Sequence, residues 1–313
     1  MKHPILPLVV ITLIKVIHDL WFTLIFYDLP IVKGVGSIQN AVANVVSNDP
    51  YKVFNWYPAA VVWCLSYFIL FVACITTAIL CIACTLRFLG EVSSNFKWLV
   101  GISGIIAAIL FLVTDVFCVH EYRNTLTRDV ILNLQKITGI RYIYTALVVV
   151  NVLISVVTVL LGVTLSVILS PINQLSAIRE RRLWLERLLY TYSFLLLSGI
   201  VELRLLLGWF SCYVGKGEFE MVATAASILS NASGVYCSLF VFSAFTISFC
   251  RLRASAVASI ASDGVLDLET KENKLEQLGL TLSDLKLLKT SFAVLAPALL
   301  PGPLTALVRL IPN

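Results

Sequence analysis

Charge is the scarce ingredient of this sequence. Only 13% of its 313 residues are Asp, Glu, Lys or Arg, while 59% are hydrophobic; a soluble domain carries about 25% charged residues. That deficit excludes an ordinary soluble globular fold. Histidine is equally sparse. His3, His18 and His120 are scattered, so there is no H-E-x-x-H zinc helix, and neither a G-x-x-x-x-G-K-[ST] phosphate loop nor a G-x-S-x-G nucleophile elbow occurs. The chain is therefore read as non-enzymatic, with no catalytic residue, no metal site and no cofactor expected. No repeat relates the two halves, which counts against an inverted-repeat transporter. The surplus of 23 Lys+Arg over 18 Asp+Glu is small and lies beside apolar runs, so no nucleic acid partner is expected.

What the sequence has in abundance is long apolar runs. A hydrocarbon core about 30 Å thick needs about 20 apolar helical residues. Six stretches satisfy this: 5–27, 58–86, 98–118, 143–169, 188–210 and 222–250. The expected fold class is thus all-α, a polytopic helical membrane bundle over 1–250 with about six transmembrane helices. The first run is read as a retained span rather than a signal peptide, because Lys15 interrupts it and no small-x-small cleavage site follows. A helical tail over 251–313 is expected on the cytoplasmic side. Its residues 292–311 are apolar but broken by Pro297, Pro301 and Pro303, which suggests an interfacial or re-entrant hairpin, with a seventh span as the alternative.

Lys and Arg near span ends set the orientation. With the N-terminus inside, the cytoplasmic face receives Lys2, Arg87, Lys97, Arg179, Arg181, Arg182, Arg187, Arg251 and Arg253, against seven basic residues outside. Both termini are then cytoplasmic in a plasma or inner cell membrane. Arg179, Arg181 and Arg182 are expected to touch anionic lipid or a soluble partner. Two loop segments, around Ile38–Val46 and Thr127–Gly139, have the spacing of short amphipathic helices. In the tail, Leu266, Leu268, Leu275 and Leu278 are expected to face a partner helix, and Gly279 to end the first tail helix.

Ionisable groups inside spans are costly, about 2.5–3.5 kcal/mol each on insertion scales, so each needs a reason to be there. In the first span Lys15, His18 and Asp19 fall on one helix face, and Lys15 and Asp19 are four apart. They either line a polar cavity or ion path, or form a self-satisfied pair that fixes packing. In the fifth span Thr191, Ser198, Glu202, Trp209 and Tyr213 share a stripe, and Arg204 points elsewhere, toward the outer headgroups. Depth arithmetic suggests a Lys15–Glu202 or His18–Glu202 contact. Asp115, Asn151 and Asn231 extend the set toward the outer face. The sixth span is rich in Ala, Ser and Gly, as close packing or a narrow pore requires. Cys81 and Cys84 have C-x-x-C spacing without further ligands and are read as buried thiols.

Two functions remain open at this level. One is a channel-like or transport-type bundle whose polar cavity is lined by Lys15, His18, Asp19, Asp115, Asn151, Glu202 and Asn231, with a regulatory or oligomerising tail. The other is a membrane-anchored receptor, scaffold or stress/defence effector acting through helix–helix and tail contacts. Expected partners are the lipid bilayer, a second copy of the chain, and a protein met through the tail.

Overall fold

A computed structural model describes residues 5–28, 57–121, 143–171, 175–211, 216–262 and 268–281. Side chains at 18–28 and 115–121 lie outside that description, as do the loop segments at 38–46 and 127–139 and the tail segment 292–311. The described residues are all-helical: α1 Leu6–Asp28, α2 Tyr57–Leu89, α3 Ser94–Glu121, α4 Ile143–Ile168, α5 Leu175–Ser211, α6 Lys216–Ser262 and α7 Leu268–Gln277. Five of them, α2 to α6, are long and apolar enough to cross a membrane; in α1 the described apolar stretch is Leu6–Ile17. The helices fall on the six expected runs: α1 and α4 match theirs to within one residue at each end, and α2, α3, α5 and α6 run beyond theirs. The largest difference is α6, which continues unbroken through the boundary expected at 250/251 to Ser262.

The helix ends follow from local chemistry. Between α2 and α3 the chain turns through Gly90–Ser93, with the Glu91 amide donating to the Phe88 carbonyl at 3.1 Å and the Lys97 amide to Ser93 at 3.0 Å. At the end of α4 the Ser170 amide reaches back to Val167 at 3.1 Å, and Pro171, which has no N–H, stops the helix. α7 ends in a Schellman motif. Gly279 takes φ +64°, its amide donates to Glu276 at 2.8 Å, and the Leu280 amide donates to Leu275 at 2.8 Å. The apolar contact that accompanies this motif is supplied by the buried Leu275 and Leu280.

α5 is the central element, packed on α2 along one side and α6 along the other; α4 lies against α2, α3 and α1, and α1 also touches α6. α1 and α4 approach closely at Gly162, where an added Cβ would stand 2.5 Å from Leu8 Cδ1 and 3.4 Å from the Leu8 Cα. Several hydroxyls inside the helices are satisfied locally, as for Thr77 to the Ala73 carbonyl at 2.7 Å and Ser248 to Ala244 at 2.8 Å. Others join helices: Thr85 to Thr164 at 2.9 Å, Thr158 to Tyr192 at 2.8 Å, and the Tyr67 hydroxyl to the Ala146 carbonyl at 2.9 Å. Large apolar side chains such as Ile105, Leu112 and Phe68 are exposed on the outer faces. In water that surface would drive aggregation; against lipid it is ordinary.

The small residues of α6 divide by face. Ser230, Gly234 and Ser238 are buried against neighbouring helices, as close packing requires, while Asn231 shares an exposed stripe with Val235, Leu239 and Phe242. Cys74, Cys81, Cys84 and Cys237 are buried free thiols; Cys64 and Cys250 are exposed.

Candidate functional site

The inter-helix contacts fix a common vertical register, because a helix rises about 1.5 Å per residue. Arg181 marks one level: its guanidinium reaches the end of α4 and lies 5.1 Å from the Phe88 ring near the end of α2. Tyr192 is about 16 Å further along α5 and stacks on Phe240 at 5.7 Å. Counting about 16 Å back along α6 from Phe240 returns Arg251 to the Arg181 level. On the α1–α3 side, Lys15 stands 5.3 Å over the Phe111 ring, and Phe111 is about 21 Å along α3 from Lys97. Arg87, Lys97, Arg181 and Arg251 therefore occupy one basic layer. At the other end, Lys15 lies about 21 Å from it, Asn151 about 27 Å, and Asn231 and Glu202 about 30 Å.

The basic layer is tied together by Arg181, which is only 1% exposed. Nη1 donates to the carbonyls of Ile168 at 2.8 Å and Ser170 at 3.0 Å and to Ser170 Oγ at 3.0 Å; Nη2 donates to Glu91 Oε2 at 2.8 Å. These carbonyls belong to the last turn of α4 and the residues just after it, where a helix leaves acceptors without intrahelical partners and its dipole is negative. Arg181 thus caps α4, and Glu91 joins it to the α2–α3 turn. A role for Arg181 at a lipid or partner surface is corrected accordingly: the side chain is enclosed by its own protein.

Arg182, one residue on, serves a different helix. An added Cβ at Gly279 would stand 2.7 Å from Arg182 Cζ, which places this guanidinium against the C-terminus of α7. It also pairs with Glu186 at 3.6 Å. Arg87 pairs with Glu180 at 3.0 Å on the exposed rim. Beneath this layer, Leu252, Ala256 and Ile260 of α6 and Leu275, Leu278 and Leu280 of the α7 segment continue the bundle core without interruption. The partner helix expected for Leu275 and Leu278 is the extension of α6.

At the far layer Glu202 is buried. Its Oε1 accepts from the Trp63 indole Nε1 at 2.8 Å. Trp63 stacks on Trp209 at 5.3 Å and tilts against Tyr67 at 5.8 Å. The expected Lys15–Glu202 contact is replaced by these two arrangements: Glu202 faces α2 through Trp63, and Lys15 faces α3 through Phe111. Arg204, expected to snorkel outward, is buried with only 4% exposed. Asn151 and Asn231 are exposed on α4 and α6. Of the cavity set, the described Asn151, Glu202 and Asn231 lie at similar height and Lys15 about 9 Å nearer the basic layer; Glu202 and Lys15 face different helices, and Asn151 and Asn231 are exposed. The side chains of His18, Asp19 and Asp115 lie outside the described residues.

Two participants escaped the sequence reading. Trp63 sits near the start of an apolar run with nothing in sequence to pair it with Glu202; that pairing requires the α2–α5 register. Glu91 is the single acid of the short α2–α3 turn, between the basic residues Arg87 and Lys97, and that isolation was the available signal. Among the described residues no three His, Cys, Asp or Glu side chains converge as a metal site requires. No protein-family model, curated protein or solved structure matches this chain.

Proposed function

We propose that this chain is a six-span integral membrane protein with both termini cytoplasmic, acting without enzymatic chemistry as a membrane-anchored receptor or scaffold whose basic end and tail meet a partner. The separation of about 30 Å between the basic layer and the far polar layer supports the membrane placement, because it equals the hydrocarbon thickness. On that placement Trp63, Trp209 and Glu202 lie at the outer boundary rather than at mid-bilayer, where an aromatic belt belongs. The Lys and Arg bias puts the basic layer on the cytoplasmic side.

The observation that carries the receptor or scaffold reading is the Arg181–Arg182 pair. Adjacent side chains on one turn of α5 hold the ends of two different helices, α4 within the bundle and α7 in the tail. A partner that engages α7 therefore acts on the same turn that caps α4. The outward face of α7 is available for this: Glu269, Glu272, Asn273 and Glu276 are exposed, while Leu275 and Leu278 are spent on the core.

A photo-crosslinking residue at Glu272 in native membranes tests the reading. The expected result is one discrete adduct, lost when Leu275→Asp and Leu278→Asp undock α7; an adduct of twice the mass identifies a second copy as the partner. The competing channel-like or transport-type reading, with Lys15, His18, Asp19 and Glu202 setting charge preference, makes the opposite forecast. Ion or proton flux in liposomes that Glu202→Gln abolishes while leaving the fold intact would overturn the scaffold reading in its favour.

A further inference from the structure

The cations of the basic end divide into two groups. Arg87, Arg181 and Arg182 are neutralised within the protein by Glu180, Glu91 and Glu186. Arg179 and Arg187 are exposed, and neither forms an ion pair among the described residues. Both lie on the outward stripe of α5, with Leu183 one turn from each and Tyr190 and Phe194 continuing it toward the hydrocarbon; these three are 42%, 42% and 52% exposed. Arg187 rests on the Trp184 ring, its Cζ 5.3 Å from the centroid. Stacking holds the guanidinium plane and leaves its N–H donors unspent, which is the arrangement that favours arginine over lysine at phosphate groups.

We propose that Arg179 and Arg187, with Trp184 beneath Arg187, form a headgroup site for an anionic phospholipid of the cytoplasmic leaflet. The two residues are about 12 Å apart along the helix axis, a gap that two extended arginine side chains close onto one phosphate. The acyl chain lies along Tyr190 and Phe194. That apolar continuation selects a lipid over a free phosphate ion, which would gain nothing from it. Among the described arginines of α2 and α5 at this end, Arg87, Arg181 and Arg182 already have carboxylates, which leaves this stripe to attract an anion. The site rests on the membrane placement given above. It revises the expected lipid contacts from Arg179, Arg181 and Arg182 to Arg179 and Arg187.

Native mass spectrometry of the full chain, delipidated and then titrated with phosphatidylglycerol or phosphatidylcholine, tests the site. Each arginine at an anionic surface contributes about fivefold in affinity. Arg179→Gln and Arg187→Gln should each lose about that factor for phosphatidylglycerol, and the double variant roughly 25-fold, with phosphatidylcholine adducts unchanged. The double lysine variant keeps the charges but not the stacked, multi-donor plane, and should fall between wild type and the double glutamine variant. Arg87→Gln, an equal charge change at a paired arginine, should lose little. Undiminished phosphatidylglycerol binding in the double glutamine variant, or an equal loss in Arg87→Gln, overturns the proposal. Release of the chain by alkaline carbonate refutes the membrane placement itself, whereas a firmly inserted protein with charge-blind lipid binding refutes only the site.

Discussion

Replacing Arg181 by methionine isolates what the basic layer contributes. Methionine roughly keeps the volume and the apolar stem but removes every donor. Three acceptors at the end of α4, the Ile168 and Ser170 carbonyls and Ser170 Oγ, lose bonds of 2.8, 3.0 and 3.0 Å. Ser170 and Ile168 are buried, 4% and 0% exposed, so water does not readily replace the arginine. An orphaned buried acceptor costs about 1–3 kcal/mol, and removing one member of a buried charged cluster costs about 3–5 kcal/mol. A destabilisation of about 3–5 kcal/mol is expected for Arg181→Met.

The opposite partner behaves differently. Glu91 is 45% exposed and rehydrates when its arginine is lost. Glu91→Gln keeps an amide oxygen that can accept from Nη2 and leaves the α4 cap in place, so it should cost less than Arg181→Met, though more than an exposed pair because the Arg181 cation, 1% exposed, loses its countercharge. Arg181→Lys should fall between the two, since a single ammonium cannot span both the α4 end and Glu91. Reversible unfolding in mixed micelles, followed by tryptophan fluorescence, measures all three. The reasoning fails if Arg181→Met lies within about 1 kcal/mol of wild type, or if Glu91→Gln is as damaging as Arg181→Met. Either result would mean that the surface ion pair, not the helix cap, is the stabilising contact.

Three further outcomes are expected. Gly162→Leu forces α1 away from α4, because even a Cβ stands 2.5 Å from Leu8 Cδ1; overpacking should cost about 1–3 kcal/mol, read as a lower thermal midpoint. Gly279→Ala strains a backbone at φ +64° by about 1–2 kcal/mol and crowds Arg182, so amide exchange should quicken in α7 while α2 and α4 keep their protection. With a membrane-permeant alkylating reagent, Cys64 and Cys250 should react quickly and Cys74, Cys81, Cys84 and Cys237 slowly; rapid labelling of Cys81 or Cys84 would contradict the tight α2–α4 packing.

Much of the architecture was legible because a helix in a membrane needs only a long apolar run, and composition alone reveals that. Gly279 was readable as a helix end, since the left-handed residue of a Schellman motif is usually glycine and apolar residues stand on both sides. Leu275 and Leu278 were likewise readable as a buried face. The end of α6 was not. Arg251 and Arg253 interrupt the apolar run, and that change in polarity was read as a boundary in structure. The helix crosses it because Leu252, Ala256 and Ile260 keep the helical spacing of buried residues straight through the basic residues.

The site was less legible for a reason of neighbourhood. Depth along each span suggested pairing the first span with the fifth, but similar depth does not make two helices neighbours. Contacts decide that: Leu8 against Gly162 and Lys15 over Phe111 set α1 against α4 and α3, while Tyr192 on Phe240 sets α5 against α6, and Glu202 meets Trp63 of α2. On the membrane placement proposed above, the carboxyl that looked like a charge in search of a cation is a boundary residue with an indole donor, and its cost falls accordingly with depth. Adjacent arginines posed the converse problem. Arg179, Arg181, Arg182 and Arg187 are chemically identical in sequence, and only the rotation of about 100° per residue along α5 sends one into the bundle, one to the tail and two to the outer surface.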